Sequence, residues 1–504
     1  KVYQTDANGY ALVDGTLREK DPTNGQDIYL TIDSGLQRDL DYLMSNAYNE
    51  SGAQVVTAGV MEIKTGRILA MSTYPSFNPN ERNISTFNNY FLEGTIECGS
   101  VFKPFIYADS IEEGKYDHNA YYNSGSYNVY YGNKLVATIK DHNGGQGWGT
   151  ITYDQGLYHS SNVAICNLLD QGYVTKDVLT EKLNDLGFFQ GDTMDGLTCS
   201  SSINAYTRKN AGRLEYLTTG FGQGSTVTPY QLLKAYSVFG NDGKTVQPHI
   251  VDKVVNPETN KVVYQATPKY SKQIFSTNTI SQVKDLMLGV IEDEQGTGKT
   301  YRLDNDVRMI GKTGTGQVVE NGGYSTTLYM HSFVGIAPYD DPQVVMFLTF
   351  KSGDSYAQYM PNIVKQTMNE ALQVVNRYNA KNTTAVDQSC TLDSYTNQSV
   401  NYVKSKLESK SLSVQIIGNG SSVIEQYPLA KSKVTSGDKV FIKTEGKDIT
   451  LPNLIGWSKK EVQTYASLAG IQLTIDGTSG HVTAQSVGEN TVVHSGDSLT
   501  VAIS

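Results

Sequence analysis

Apolar and polar positions alternate along Asp27-Ile28-Tyr29-Leu30-Thr31-Ile32-Asp33, a period of two that predicts a strand. The period then changes. From Ser34-Gly35, apolar residues recur at Leu36, Leu40, Leu43 and Met44, the spacing of one helix face. Two apolar runs, Gln54 to Ile63 and Arg67 to Ser72, flank Lys64-Thr65-Gly66 and predict a hairpin. Helical spacing returns from Tyr153 to Leu169, with a break at Ser160-Ser161-Asn162. It recurs over Val174 to Leu186, Thr228 to Phe239, Ser276 to Ile291 and Met360 to Tyr378. Strands are expected over Val307 to Gly311, His331 to Ala337 and Val344 to Lys351, and a hairpin over 246–265 with its tip at Asn256-Pro257-Glu258-Thr259-Asn260. Interleaved helices and strands joined by hairpins imply an α+β domain with an antiparallel sheet.

Near residue 381 the pattern changes again. Ala380-Lys381-Asn382-Thr383-Thr384-Ala385 is a polar linker, and the sequence after it repeats itself. Leu392 matches Leu451, Val403 matches Val462, Gly418 matches Gly477, and Ser436-Gly437-Asp438 matches Ser495-Gly496-Asp497, each pair 59 positions apart. One offset held without a gap indicates tandem duplication. Each unit reads as a helix followed by three short strands, as in Ser458 to Ala469, Gln472 to Ile475 and Ser498 to Ile503. The expected divisions are 1–27, a turn-rich remnant of something preceding, then 28–380, 387–446 and 447–504. Lys1-Val2-Tyr3-Gln4 reads like the interior of a longer protein.

Composition narrows the function. With 41 Lys and Arg against 51 Asp and Glu in 504 residues, and no long basic run, nucleic-acid binding is not expected. Cys98, Cys166, Cys199 and Cys390 are too few for a disulfide scaffold, and no pairing follows from sequence. Seven scattered histidines show no metal-ligand spacing, so neither metal nor cofactor is expected. No stretch is apolar enough to span a membrane.

The candidate chemistry begins at Cys98-Gly99-Ser100-Val101-Phe102-Lys103-Pro104-Phe105. If Ser100 opens a helix, Lys103 lies one turn on, with its amine near the hydroxyl. Pro104 fits only if that helix starts close to Ser100. A helix start also aims free N–H groups at whatever the serine carries. Ser-x-x-Lys recurs at Ser281/Lys284, inside a helix, and at Ser436/Lys439, in a Ser-Gly-Asp turn, and both are set aside. Further along stand Ser160-Ser161-Asn162 and then Lys312-Thr313-Gly314-Thr315, the latter in Gly- and Thr-rich sequence suited to an edge strand beside a groove. Taken singly, Ser160 is as well explained as a helix cap and Lys312 as a solvated strand residue. Ser-x-x-Lys, Ser-x-Asn and Lys-Thr-Gly in that order are the boxes of serine penicillin-recognising enzymes. Two imitations fail on context. Lys64-Thr65-Gly66 is a hairpin turn, and Gly296-Thr297-Gly298-Lys299-Thr300 lacks the leading glycine of a phosphate loop, whose place is held by Asp293.

On these boxes the chain resembles the class B penicillin-binding proteins, the division-type D,D-transpeptidases of bacterial cell-wall synthesis. Thr65 to Met71, Phe221-Gly222-Gln223-Gly224 and Val227-Thr228-Pro229 are similar to further stretches of that family. The tandem units resemble PASTA repeats. Leu451-Pro452-Asn453-Leu454-Ile455-Gly456 looks like a PASTA opening, and the first unit has Asp393 in place of Pro452. Thr193 to Ser201 departs from the Gly- and Pro-rich connection usual in the family.

The resemblance implies a penicillin-recognising serine transpeptidase fold followed by two small PASTA modules. It implies Ser100 as nucleophile and Lys103 as base, made neutral by burial and by the nearby Lys312. Ser160 would relay a proton, Asn162 would hold Lys103 and a substrate amide, Lys312, Thr313 and Thr315 would bind the substrate's terminal carboxylate, and Gly314 and Gln317 would also contact the substrate. The backbone N–H groups of Ser100 and Thr315 would form the oxyanion hole. Implied partners are peptidoglycan stem peptides, β-lactams, a SEDS-type glycan polymerase and divisome proteins, at the extracytoplasmic face of a membrane that anchors the intact protein by a single span. The alternatives are a D,D-carboxypeptidase or β-lactamase, and a β-lactam sensor or scaffold working through its PASTA units. His159 is expected to pack against its helix.

Overall fold

Five antiparallel strands form the central sheet of the chain. In this computed structural model the described residues are Asn8 and 25–81, 84, 86–303, 307–320, 322–382, 389–410, 412–435, 438–477 and 481–503. The strands are β1 (Val55–Glu62), β2 (Ile68–Tyr74), β3 (Ile310–Glu320), β4 (Gly323–Ala337) and β5 (Val344–Ser352), in the spatial order β3-β4-β5-β1-β2. Lys64-Thr65-Gly66 is indeed the β1–β2 turn, with the Thr65 hydroxyl donating to Glu62. One face of the sheet is covered by α1 (Ser34–Ser51) and a long α-helix, Met360–Asn382. Leu36, Leu40 and Met44 meet Met360, Val364 and Met368 there. The Asp33 carboxylate caps α1 by accepting from the Gly35 and Leu36 N–H groups.

The opposite face carries α2 (Lys103–Glu112), Pro229–Tyr236 and Thr277–Glu292. A 3₁₀ turn, Gly99–Phe102, precedes α2, so Ser100 stands one turn ahead of the α-helix proper, and Pro104 falls within the first turn, where its missing N–H costs nothing. Every residue of α2 from Lys103 to Ile111 is buried. Phe105 packs against Phe188, Tyr236 and Phe239. A helix buried on all sides belongs in a core, and this one takes Lys103, Asp109 and Ser110 in with it.

The edge strand joins two expected pieces and is displaced from the first. The strand expected over Val307 to Gly311 starts only at Ile310, and it runs on without a break through the stretch expected as an edge strand, Lys312-Thr313-Gly314-Thr315, to Glu320. Glycines weaken a strand while marking a close backbone approach. Thr193 to Ser201 contains a small hairpin, Asp192–Met194 with Leu197–Cys199. Asp27–Leu30 pairs with Val251–Asn256. Of the 1–27 segment, residues 1–7 and 9–24 lie outside the described residues.

The two repeats share one topology. In each, a short strand and a helix lead into a three-stranded sheet. Ser413–Ile417 runs parallel to Lys439–Thr444 in the first, and Gln472–Asp476 runs parallel to Ser498–Ile503 in the second. Ile417 and Phe441 of the first repeat join the core of the second. Lys439 lies 3.6 Å from the Trp457 ring centroid and 3.2 Å from Glu461, a role unrelated to catalysis. Ser436 lies outside the described residues. Ser281 is interior to its helix, and Lys284 sits over the Tyr339 ring. Among the described residues no helix is long and apolar enough to cross a membrane.

Asp109, on α2, is fully buried, and neither of its carboxylate oxygens has a hydrogen-bond partner. Burial holds its pKa well above the usual carboxylate range, opposed by the Lys182 charge. A carboxyl raised in this way destabilises the fold at pH 8 and recovers stability as pH falls towards its unfolded pKa near 4. Asp109→Asn should therefore raise stability at pH 8 by about 1–3 kcal/mol, with the gain vanishing near pH 4. Denaturant unfolding at the two pH values checks this, and an equal effect at both contradicts it.

Candidate active site

The serine turn and the edge strand meet backbone to backbone. Gly99 has φ +61°, and a Cβ on it would stand 2.4 Å from the Thr315 carbonyl oxygen. A Cβ on Gly316 would stand 1.7 Å from the carbonyl oxygen of Glu97. Both positions therefore exclude any other residue. Within a strand a residue's N–H and C=O point to the same side, so the Thr315 N–H also faces the serine turn. That brings the serine turn up against Thr315, so the two residues expected as oxyanion donors lie on backbones in close contact. The Gly99 N–H donates to the Gly222 carbonyl at 3.0 Å, bringing in the Phe221-Gly222-Gln223-Gly224 loop.

Lys103 and Lys312 converge beneath them on one hydroxyl. Lys103 Nζ donates to the Ser160 carbonyl (2.5 Å), to Asn162 Oδ1 (2.8 Å) and more weakly to Ser160 Oγ (3.4 Å). Lys312 Nζ donates to Ser160 Oγ (2.8 Å) and to the Thr313 carbonyl (3.0 Å). Both lysines are fully buried. The expectation that the Lys103 amine lies at the Ser100 hydroxyl is modified, since its three partners all belong to Ser160 and Asn162. Ser160 adopts φ +57°, which is rare outside glycine and costs of order 1 kcal/mol. The hydroxyl and the carbonyl of this one residue thereby both reach the lysines.

Burial governs the charges. It lowers the Lys103 pKa to about 7, against the opposing charge of Asp141. It lowers Lys312 well below its ordinary value, and the charge on Lys103 adds to the effect. Burial is the leading cause at both lysines, and the repulsion between two such ammonium groups is mutual, so each disfavours charge on the other.

The sequence reading missed Asp141. Its Oδ1 accepts from Ser161 Oγ (2.8 Å) and from the N–H groups of Asn162 (2.7 Å) and Val163 (3.1 Å), the first turn of α3 (Asn162–Asp170). Twenty positions separate it from Ser161, so no local spacing announces it. Asn162 Nδ2 donates to the Lys140 carbonyl at 2.9 Å, which turns its Oδ1 to Lys103. Thr297 was also missed, although the phosphate-loop imitation drew attention to its stretch. The Thr313 hydroxyl donates to Thr297 Oγ1 at 2.8 Å. His159, expected against its helix, stacks on Trp148 with ring centroids 4.4 Å apart.

A cleft of about 810 Å³ opens over these groups. Ser100, Ser160, Asn162, Thr313, Gly314, Thr315 and Gln317 all line it, as do Thr297 and Gln223. Lys103 and Lys312 lie beneath its floor, and among the described residues no carboxylate lines it. The described residues contain no cluster of metal ligands.

Residues 56–373 match the family described as the penicillin binding protein transpeptidase domain, and residues 391–446 and 449–504 each match the PASTA domain. Stage V sporulation protein D of Bacillus subtilis (strain 168) is 29% identical over 466 residues, spanning 88% of this chain and 69% of that protein. A probable peptidoglycan D,D-transpeptidase, PenA of Neisseria flavescens, is 27% identical over 376 residues, covering 71% of this chain and 85% of its own length. Among solved structures, penicillin-binding protein 2X of Streptococcus thermophilus superposes with a TM-score of 0.65 at 24% identity, over 100% of this chain and 75% of that one.

The backbone contact at Gly316 yields a direct test. Gly316→Ala should destabilise the fold by about 1–3 kcal/mol, because the strand must move away from Glu97. A melting temperature equal to that of the parent would contradict the contact.

Proposed function

The chain belongs to the penicillin-binding protein transpeptidase family, and we propose that it cross-links peptidoglycan stem peptides through an acyl-enzyme on Ser100. The observation that carries this reading is the Ser160 hydroxyl held between two buried lysines, at the floor of a cleft lined by Ser100 and Thr313 to Thr315.

The steps follow from the donors available. Neutral Lys103 takes the Ser100 proton as Oγ bonds to the carbonyl carbon of the penultimate D-alanine. The oxyanion is met by the Ser100 and Thr315 N–H groups, each such donor being worth roughly 3 kcal/mol of barrier. The C–N bond to the terminal D-alanine then breaks. The departing nitrogen takes a proton from Ser160, which recovers one from Lys103. The substrate's terminal carboxylate supplies the counter-charge that Lys312 lacks in the free site, with Thr313 and Thr315 as further donors. The amine of a second stem peptide attacks the ester, its proton returns along the same chain, and Ser100 is restored. A β-lactam enters by the same acylation and stays.

The carboxylate-free lining speaks against hydrolysis of the β-lactamase kind. A class A β-lactamase uses a glutamate for deacylation, and no carboxylate stands among the described lining residues. Glu181, the nearest sequence candidate, lies in the helix Lys176–Asp185, outside the lining. The intact protein is proposed to sit at the extracytoplasmic face of the bacterial membrane, held by a single span, and to act with a SEDS-type polymerase and divisome proteins in septal wall synthesis. A sporulation role is the second reading, favoured by the name of the relative that covers 88% of this chain.

A fluorescent penicillin should label the chain once, at Ser100, and intact mass should show Ser100→Ala unlabelled. Labelling of that variant to the parent's extent would refute the assignment. A chain ending at residue 382 should still fold and be acylated, and complete loss of folding would contradict the proposed boundary.

A further inference from the structure

Asp141 ends the hairpin Ser126–Tyr131 with Lys134–Lys140, and it is almost fully buried. Its Oδ2 accepts from the Gly125 N–H at 2.8 Å, and its Oδ1 takes the three donors of Ser161, Asn162 and Val163. The last two are first-turn N–H groups that no intrahelical acceptor can satisfy, and a negative charge at that end of α3 also suits the helix dipole. Ser160, whose left-handed conformation brings both lysines to one residue, immediately precedes this cap.

The groups facing Lys103 come from three elements. Lys312 stands on β3, Cys166 on α3, and Asp141 and His142 on the loop before Trp148. Burial pushes the Cys166 thiol up, which keeps it neutral. Burial and the two lysines push His142 down, which keeps it neutral at pH 7. Lys312 is itself driven towards neutrality. Asp141 is the carboxylate whose charge opposes the desolvation of Lys103. We propose that Asp141 is a positioning residue for acyl transfer at Ser100, and that its charge sets the pH range over which Lys103 accepts a proton. A helix cap would require its oxygens, whereas this role requires its charge. The inference rests on the acyl-enzyme reading above.

The test compares the pH dependence of acylation by benzylpenicillin, read as acylated fraction by intact mass, in the full chain and in three variants. Asp141→Asn retains an oxygen for the Ser161, Asn162 and Val163 donors and loses the Gly125 bond and the charge. Asp141→Ser is a second neutral substitution that keeps a hydroxyl acceptor, should the first fail to fold. Ser161→Ala removes one partner of the carboxylate and leaves the charge. In the neutral variants the acid limb should move to lower pH by about half a unit or more. That gives about a threefold gain, relative to each protein's own plateau, at a pH below the limb. Ser161→Ala should lower the plateau without moving the limb. An acid limb in either folded neutral variant that coincides with the parent's, or an equal displacement in Ser161→Ala, overturns the inference and leaves the acyl-enzyme reading standing. A parent chain that benzylpenicillin never acylates overturns that reading, and the inference with it.

Discussion

Two ammonium groups cannot be buried against one hydroxyl and both keep their charge. Desolvation of an ion costs several kcal/mol even after relaxation, and repulsion between like charges adds to it. Lys103 and Lys312 both reach Ser160 Oγ inside the fold. The site is therefore built with a deficit of protons, which is what a serine nucleophile needs from its base. The anchors around the pair follow from this constraint. The lysines are stripped of water by the buried helix α2 and the buried start of the edge strand, and are given back acceptors from Ser160, Asn162 and the Thr313 carbonyl. The same deficit gives the substrate's carboxylate something to do on arrival, since it restores charge to Lys312.

The second constraint is steric. The nucleophile and the strand that presents Thr315 belong to distant parts of the chain, and they touch through main-chain atoms at Gly99 and Gly316. Side chains at either position would hold the oxyanion donors apart. Glycine in β3 weakens the strand locally, and β4 compensates by pairing along almost its whole length, from Ile310 opposite Ile336 to Gln317 opposite Tyr329. The stiffness of the site thus comes from the sheet behind it.

Much of this was legible in the residues. Helix α1, the β1–β2 hairpin, the helix beginning near Ser100 and the duplication after 389 follow from periodicity and self-similarity, which are local signals. The order of the three boxes pointed to the side chains proposed to react. The Gly- and Thr-rich stretch was legible as an edge strand, but its continuity with the strand before it was not, because its glycines answer to a long-range backbone contact. Asp141 was not legible because its partners lie about twenty positions away. The two PASTA units were readable singly, but their shared core through Ile417 and Phe441 was not.

The central claim is that Lys103 is a neutral amine near physiological pH because it is buried. Its most direct test is the second-order rate constant for acylation of Ser100 in the unaltered chain, followed from pH 5 to pH 10. The account predicts a tenfold rise per unit below about 7 and a plateau above it. A rate that keeps climbing towards the ordinary lysine range near 10 would contradict it.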